Sequence, residues 1–221
     1  MEIKFHGHAC FELSDGETTL LVDPFLKPHN PVAVTTAEDV SPTHVIVSHD
    51  HADHIADAIA IANANRAEML AIVETANRLR EEASETVHDP NLGGTVRFDW
   101  GWVKLVPAWH TTTTGTPAGL VISIGGVTVY HCGDTCLFGD MKLIAERTPV
   151  DVALLPIGGH YTMDRHDGVA AAELIGAGTV IPMHYNTFPP IQTDAAAFKS
   201  EVEAQTSSQV VLLDPGETHT V

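Results

Sequence analysis

The segment His49-Asp50-His51-Ala52-Asp53-His54 brings three imidazoles into six consecutive residues. It follows a short apolar run and precedes an Ala-rich stretch of helical character. Residues two apart in an extended loop point the same way, so His49 and His51 can converge on one ion, while Asp53 and His54 begin a helix and reach a second point. Imidazole and carboxylate both bind zinc, manganese and iron well. The alternative is a solvated strand-to-helix turn with Asp53 as the helix cap.

Four more polar residues occupy one kind of position in the sequence. His110, Asp134, His184 and Asp23 each stand just past the C-terminal end of an apolar, strand-like run. Taken singly, such a histidine is more often structural than functional. Strand ends in one sheet region share a rim, which is where sites of α/β proteins collect. The shared placement therefore predicts that these residues join the 49–54 segment.

Composition limits the class of protein. The 221 residues are 44% hydrophobic and 18% charged, with a mean hydropathy of +0.06, which predicts one globular domain over residues 1–221. A net charge of −18 argues against nucleic-acid binding. No apolar run is long enough for a membrane span, and the N-terminus lacks the features of a secretory signal. With only three cysteines, we expect a cytoplasmic protein without a disulfide scaffold.

Short strand-like runs dominate the first half of the chain, and strands alternate with helices later. Two sheets covered by helices would fit this order, and so would a doubly wound sheet. The predicted helices are Asp53–Asn63, Thr75–Ala83, Phe138–Ile144, Asp167–Ile175 and Asp194–Gln205.

The pattern His49-x-His51-x-Asp53-His54, with His110, Asp134 and His184 following in that order, resembles the metallo-β-lactamase superfamily over nearly the whole chain. Further segments make it similar to the small metal-dependent hydrolases near the L-ascorbate-6-phosphate lactonase branch: His6–Phe11, Val22–Phe25, Pro107–His110, Gly133–Thr135 and Met183–Asn186. The resemblance implies an α/β protein with a four-layer αββα sandwich and a dinuclear metal site in the cleft between the sheets.

The resemblance also implies two divalent cations, with zinc favoured and manganese or iron as alternatives. Carried over by position, the first cation would be held by His49, His51 and His110, the second by Asp53, His54 and His184, and both by Asp134. A hydroxide shared by two cations would then attack a small ester, lactone or phosphoester. The resemblance also suggests a homo-oligomer.

Several residues around this set have less specific expected roles. Asp53 is the candidate proton acceptor, and Asp23 is expected either to orient a ligand imidazole or to cap its own turn. His8 is expected to contact the substrate or a ligand, with a plain turn histidine as the alternative. His160 and Tyr161 are candidate substrate-binding residues, with solvated loop residues as the alternative. Trp109 is expected to pack rather than to serve as a substrate platform.

Three other functions compete with hydrolysis of a small molecule. An iron-dependent redox enzyme would use the same ligands, and a ribonuclease or phosphodiesterase would use the same fold. The charge of −18 argues against a nucleic-acid substrate and so favours the redox enzyme over the ribonuclease. A binding protein that keeps its metals for stability would have no open coordination position.

Overall fold

Two seven-stranded sheets lie face to face in the computed structural model, which describes residues 1–221. The strands are β1 (Glu2–Gly7), β2 (Cys10–Ser14), β3 (Thr19–Val22), β4 (His44–Ile46), β5 (Glu68–Leu70), β6 (Val87–His88), β7 (Thr95–Phe98), β8 (Gly101–Pro107), β9 (Ala118–Ile124), β10 (Val127–His131), β11 (Val152–Pro156), β12 (Thr179–Met183), β13 (Gln209–Val210) and β14 (Thr218–Thr220). The helices are α1 (Ala52–Ile55), α2 (Ala58–Asn65), α3 (Val73–Leu79), α4 (Asp140–Arg147), α5 (Arg165–Ile175) and α6 (Ala195–Gln205).

The two sheets repeat one strand pattern. The first has the order β14-β1-β2-β3-β4-β5-β6 and the second β13-β12-β11-β10-β9-β8-β7. In the first sheet the pairs from β14 to β3 are antiparallel and those from β3 to β6 are parallel. The second sheet is antiparallel from β7 to β10 and parallel from β10 to β13. As a result β1, β3 and β4 run in one direction, and so do β8, β10, β11 and β12.

Both faces of each sheet are buried, which explains why the central strands read as continuous apolar runs. In β3, Leu20 and Val22 face the other sheet, and Leu21 between them faces the helices. Successive side chains of a strand alternate between its faces, so an unbroken apolar run can supply two cores at once.

The helices form the two outer layers. Buried side chains of α2 and α3 pack on the outer face of the first sheet, and those of α4, α5 and α6 pack on the second. These layers confirm the αββα sandwich and exclude the single doubly wound sheet. None of the helices has the length and apolar character that crossing a bilayer would require.

One end of the sandwich holds the polar residues that were expected to meet. There the sheets are joined by backbone hydrogen bonds from Ala118 N to Ser48 O (3.1 Å) and from His184 N to His8 O (2.7 Å). The His131 ring adds a third link, from Nε2 to Ala9 O at 2.9 Å. Loops that follow strands of both sheets are therefore held together at this end.

Candidate metal centre

The 49–54 segment divides between a loop and a short helix. His49 and His51 lie in the loop that follows β4, and Asp53 and His54 lie in α1. His51 has extended backbone (φ −68°, ψ 147°) and immediately precedes α1. The backbone thus changes from extended to helical between His51 and Asp53, as the sequence predicted, and the side chains before and after this change point in different directions.

The ligand atoms of all seven expected residues converge in overlapping sets. Within each set the candidate atoms lie within 4.8 Å of one another. The sets are His49, His51 and His110; His8, Asp53, His54 and His184; and His49, His54 and Asp134. The first set contains the three residues expected around one cation, and the second contains the three expected around the other, with His8 in addition.

Asp134 lies between the two sets. Its Oδ1 is 3.4 Å from His54 Nε2, and its Oδ2 is 3.5 Å from His110 Nε2 and 3.0 Å from His184 Nε2. One carboxylate thus faces imidazoles from both sets. This is the position expected of a residue that bridges two cations.

The centre contains polar atoms with no protein partner. His54 Nε2, Asp134 Oδ1 and both ring nitrogens of His184 are buried and make no hydrogen bond. His49 Nε2 and His51 Nδ1 lie 3.0 Å apart. Buried polar atoms are normally paired, and nitrogen lone pairs this close need a proton or a cation between them. The donor set, all imidazole and carboxylate, therefore fits divalent transition metals.

The charges of the centre favour a cation at the same place. Burial opposes protonation of His54, but the Asp134 and Asp23 carboxylates outweigh it and raise the pKa of His54 well above its ordinary value. Burial also opposes ionisation of Asp134, yet His184 and His54 hold its pKa well below the ordinary range. In His49 burial dominates and lowers the pKa to about 3, so this imidazole is neutral and able to bind a metal.

Asp23 controls the ring tautomers of two candidate ligands. His54 Nδ1–H donates to Asp23 Oδ2 (2.8 Å), and the Ser48 hydroxyl donates to the same oxygen (2.6 Å). Because the Ser48 hydrogen is used in this way, its oxygen accepts from His49 Nδ1–H at 3.0 Å. Both imidazoles then keep a proton on Nδ1 and turn Nε2 to the centre, where a metal would take the place of any proton on that nitrogen, the usual arrangement for metal-bound histidine. Ser48 was not identified from the sequence, although it directly precedes His49.

His8 lies against Asp53 rather than in a free turn. Its Nε2 is 3.1 Å from Asp53 Oδ2 and its Nδ1 is 2.9 Å from Thr187 Oγ1. Burial is the main reason that the pKa of His8 falls to about 4, so the ring is neutral near pH 7. A neutral ring that donates from Nε2 accepts the Thr187 hydroxyl at Nδ1. Thr187 and His8 together fix the orientation of Asp53.

Asp50 faces away from the ligands and anchors a neighbouring loop. Its buried carboxylate accepts hydrogen bonds from the Thr112 hydroxyl and from Thr113 N (2.8 Å), and it pairs with Arg78 Nη1 at 3.0 Å. The loop that carries His110 is therefore tied to the 49–54 segment by a side chain to which the sequence gave no role.

Backbone strain is concentrated at the centre. His8 (φ 61°), Asp23 (φ 48°) and His184 (φ 54°) adopt the left-handed conformation that side chains usually avoid. Such residues persist only where the surrounding structure holds them, and they cluster at functional sites. Gly158 has a packing role there, since a Cβ at this position would overlap the carbonyl oxygen of His184.

A cavity of about 470 Å³ opens onto the ligands. It is lined by His51, Asp53, His110, Thr111, Asp134, Tyr161, His184, Phe188 and Pro190. Tyr161 thus lines the cavity, with 53% of its surface exposed. His160 packs edge-on against the Tyr161 ring, with centroids 4.5 Å apart, but is not part of the lining. Trp109 is 65% exposed, so the expectation that it packs in the interior was wrong.

Comparison with known proteins shows the family of the chain. Residues 2–184 match the family model described as the beta-lactamase superfamily domain. The chain belongs to this superfamily. A UPF0173 metal-dependent hydrolase of Pelotomaculum thermopropionicum is 45% identical, with 99% of each chain covered. Another, of Staphylothermus marinus, is 43% identical over 99% of this chain and 98% of its own length. Igni18, a metallo hydrolase of the archaeon Ignicoccus hospitalis, superposes with a TM-score of 0.92 at 37% identity, covering 99% of this chain and 97% of its own.

Membership in this family confirms the superfamily, the fold and the class of metal-dependent hydrolase that the 49–54 segment indicated. The likeness extends over essentially the full length of these relatives, so it includes the strand ends that carry His110, Asp134 and His184. The structure alone identifies four further residues around the centre: Ser48, Asp50, Thr187 and Phe188.

Proposed function

We propose that the protein binds two divalent cations, zinc in preference to manganese or iron, and hydrolyses a small ester, lactone or phosphoester. The observation that carries this proposal is the convergence of seven imidazole and carboxylate groups into two sets with Asp134 between them. His49, His51 and His110 would hold one cation. Asp53, His54 and His184 would hold the other.

The cations, when bound, would lower the pKa of a coordinated water towards about 7 and polarise the bond under attack. The residues of the chain do the rest. Asp23 and Ser48 keep two imidazoles in the tautomer that binds metal. Asp53, oriented by His8, is the candidate acceptor for the proton that water loses. The cavity beside them has the size of a small-molecule site rather than of a macromolecular groove.

The first test measures metal content and turnover together. The purified protein, reconstituted separately with Zn²⁺, Mn²⁺ and Fe²⁺, is assayed against esters, lactones, thioesters and phosphodiesters. We expect about two metal ions per chain, and we expect His51→Ala or a chelator to abolish turnover while the circular dichroism spectrum persists. His166→Ala is the matched control, because that imidazole is 72% exposed and its acidic neighbour is Glu201, outside the centre. Activity retained by the chelated protein would rule out the proposal.

The competing functions give different results in the same experiments. Stoichiometric iron with a visible absorption band, together with oxygen consumption, would favour the redox enzyme. RNA cleavage whose binding weakens steeply with salt would favour the nuclease. We also propose that the protein works in the cytoplasm on a small molecule, because its three cysteines are unpaired and its charge of −18 repels nucleic acid.

A further inference from the structure

Three residues of the cavity lining carry apolar or aromatic surface and are not candidate metal ligands: Phe188 and Pro190 on one loop and Tyr161 on another. Together they are called the outer wall. The Phe188 ring packs edge-on against His8 (centroids 5.5 Å apart) and lies 6.4 Å from the Phe25 ring. Phe188 is only half-buried, so part of the ring remains free to contact a ligand.

Both loops that form this wall are held by hydrogen bonds. Phe188 immediately precedes the 3-10 turn Pro189–Ile191, whose prolines restrict the backbone, and Ile191 N donates to Phe188 O at 3.1 Å. In the Tyr161 loop, Gly159 N donates to Met163 O (2.9 Å) and Met163 N donates to Thr135 O (3.0 Å), next to Asp134. The wall is thus formed before any ligand arrives, which lowers the entropy cost of binding.

The cavity offers an anionic ligand no lysine or arginine. Its two carboxylates, Asp53 and Asp134, are candidate metal ligands whose charge the cations would neutralise. The guanidinium of Arg78 is paired with Asp50, the side chain that anchors the His110 loop. An anionic group on the outer wall would lose hydration against aromatic rings without gaining a counter-ion, which is unfavourable. The cations would face the bond under attack, so a charged group at the other end of the substrate would lie against the outer wall without a counter-ion.

We infer that the substrate is an uncharged carboxylic ester, lactone or thioester whose apolar group packs on Phe188 and Tyr161. The inference rests on the proposed hydrolase function and narrows it, since it disfavours phosphoesters. In the reaction, the water oxygen bonds to the acyl carbon and the acyl C–O or C–S bond breaks. One proton of water goes to the leaving group, and the other is released to solvent from the new carboxylic acid.

A matched pair of esters tests the charge preference. 4-Nitrophenyl butyrate and 4-nitrophenyl hemisuccinate share a leaving group and a four-carbon acyl chain, and they differ in a terminal methyl against a carboxylate. With the zinc-loaded protein we expect kcat/KM for the butyrate to exceed that for the hemisuccinate by at least about tenfold. Equal values, or a preference for the hemisuccinate, would overturn the inference and leave the hydrolase assignment standing.

Variants of the wall test the contact itself. Phe188→Ala and Tyr161→Ala should each raise KM for the butyrate severalfold with little change in kcat and no change in bound zinc. Leu143→Ala, which truncates another exposed apolar side chain on α4, is the control and should leave KM unchanged. An unchanged KM in both wall variants would overturn the inference.

Binding without turnover separates the two proposals. Butyranilide and succinanilic acid are the corresponding anilides, which resist hydrolysis, and their affinities can be measured by calorimetry. If neither ester is cleaved but butyranilide binds at least about tenfold more tightly, the hydrolase proposal fails while the preference of the cavity for an uncharged apolar ligand is supported. Equal or tighter binding of succinanilic acid would overturn that preference.

Discussion

Replacing Asp23 by asparagine should weaken metal binding without removing a metal ligand. Asp23 accepts three hydrogen bonds, from Ser48 N (2.7 Å), the Ser48 hydroxyl (2.6 Å) and His54 Nδ1 (2.8 Å). Asparagine keeps one acceptor oxygen for Ser48 N and presents an NH₂ group to the other two donors. His54 then has to accept at Nδ1, which moves its proton to Nε2 and blocks the nitrogen that faces Asp134.

The size of the effect follows from the number of bonds that survive. The Ser48 hydroxyl and His54 Nδ1 can both accept from the new amide, so the charge-assisted bond between His54 and residue 23 becomes a neutral one, at a cost of about 1–1.5 kcal/mol in the stability of the metal-free protein. A Ser48 hydroxyl that has rotated no longer has to accept from His49 Nδ1–H, so the tautomer of His49 is no longer fixed. Loss of a group that orients a metal-bound histidine typically weakens metal affinity about 10–100-fold, or about 1.4–2.7 kcal/mol. The larger value is expected here because two ligands are affected.

The assay is a competition for Zn²⁺ between the protein and a chromogenic chelator, combined with urea denaturation of the metal-free protein. Asp57→Asn is the matched control. Asp57 is also buried and accepts from Leu26 N (2.7 Å), and its Oδ1 is 2.9 Å from His29 Nδ1, but it lies outside the centre. It should lose stability and keep its zinc affinity. If Asp23→Asn binds zinc as tightly as the native protein, the tautomer argument is refuted.

Three further changes have expected outcomes. Asp50→Asn should release the 110–114 loop and lower the zinc affinity severalfold, and partial proteolysis should then cut that loop faster than in the native protein. Gly158→Ala forces a Cβ into a backbone carbonyl and should lower the free energy of unfolding by about 1–3 kcal/mol, as thermal denaturation would show. Burial lowers the pKa of His44 in the folded protein. As the pH falls through about 6.5, the unfolded chain therefore binds a proton at this position before the folded chain does, and the metal-free protein should lose stability towards pH 5. In His44→Gln, which can still accept from Trp100 Nε1–H, this pH dependence in urea denaturation should shrink; an unchanged slope would contradict the assignment.

The convergence of the candidate ligands could be predicted from the types and positions of these residues in the sequence. Imidazoles and carboxylates are rarely buried without a reason, and each candidate ligand of the second sheet stands just past an apolar strand. His110, Asp134 and His184 follow β8, β10 and β12, which run in the same direction and so end on one rim. Because these strands run in the same direction, residues that are far apart in the chain but follow equivalent strand ends lie close together in space.

The surroundings of the ligands could not be predicted in the same way. The predicted helix Asp53–Asn63 is two helices, α1 and α2, because Asp57 turns inward between them and accepts from Leu26 N. An Ala-rich pattern fits a continuous helix equally well and contains no sign of this distant bond. Trp109 was expected to pack but is 65% exposed, and its one side-chain partner, Thr135 Oγ1, accepts from the backbone N and not from the ring. The break in the helix arises from a contact between residues far apart in the chain.

These observations separate what the fold determines from what the loops determine. The first sheet supplies four candidate ligands from one segment, and the second supplies three from three separate strand ends. Neither sheet holds a complete set, so the centre exists only when the sandwich is closed, with Ser48 O bonded to Ala118 N and His8 O bonded to His184 N. The metal chemistry is therefore tied to the same backbone bonds that join the sheets. The outer wall, formed by Tyr161 and Phe188 on loops, makes none of these bonds, so under the proposed function the choice of substrate can change there while the centre is kept.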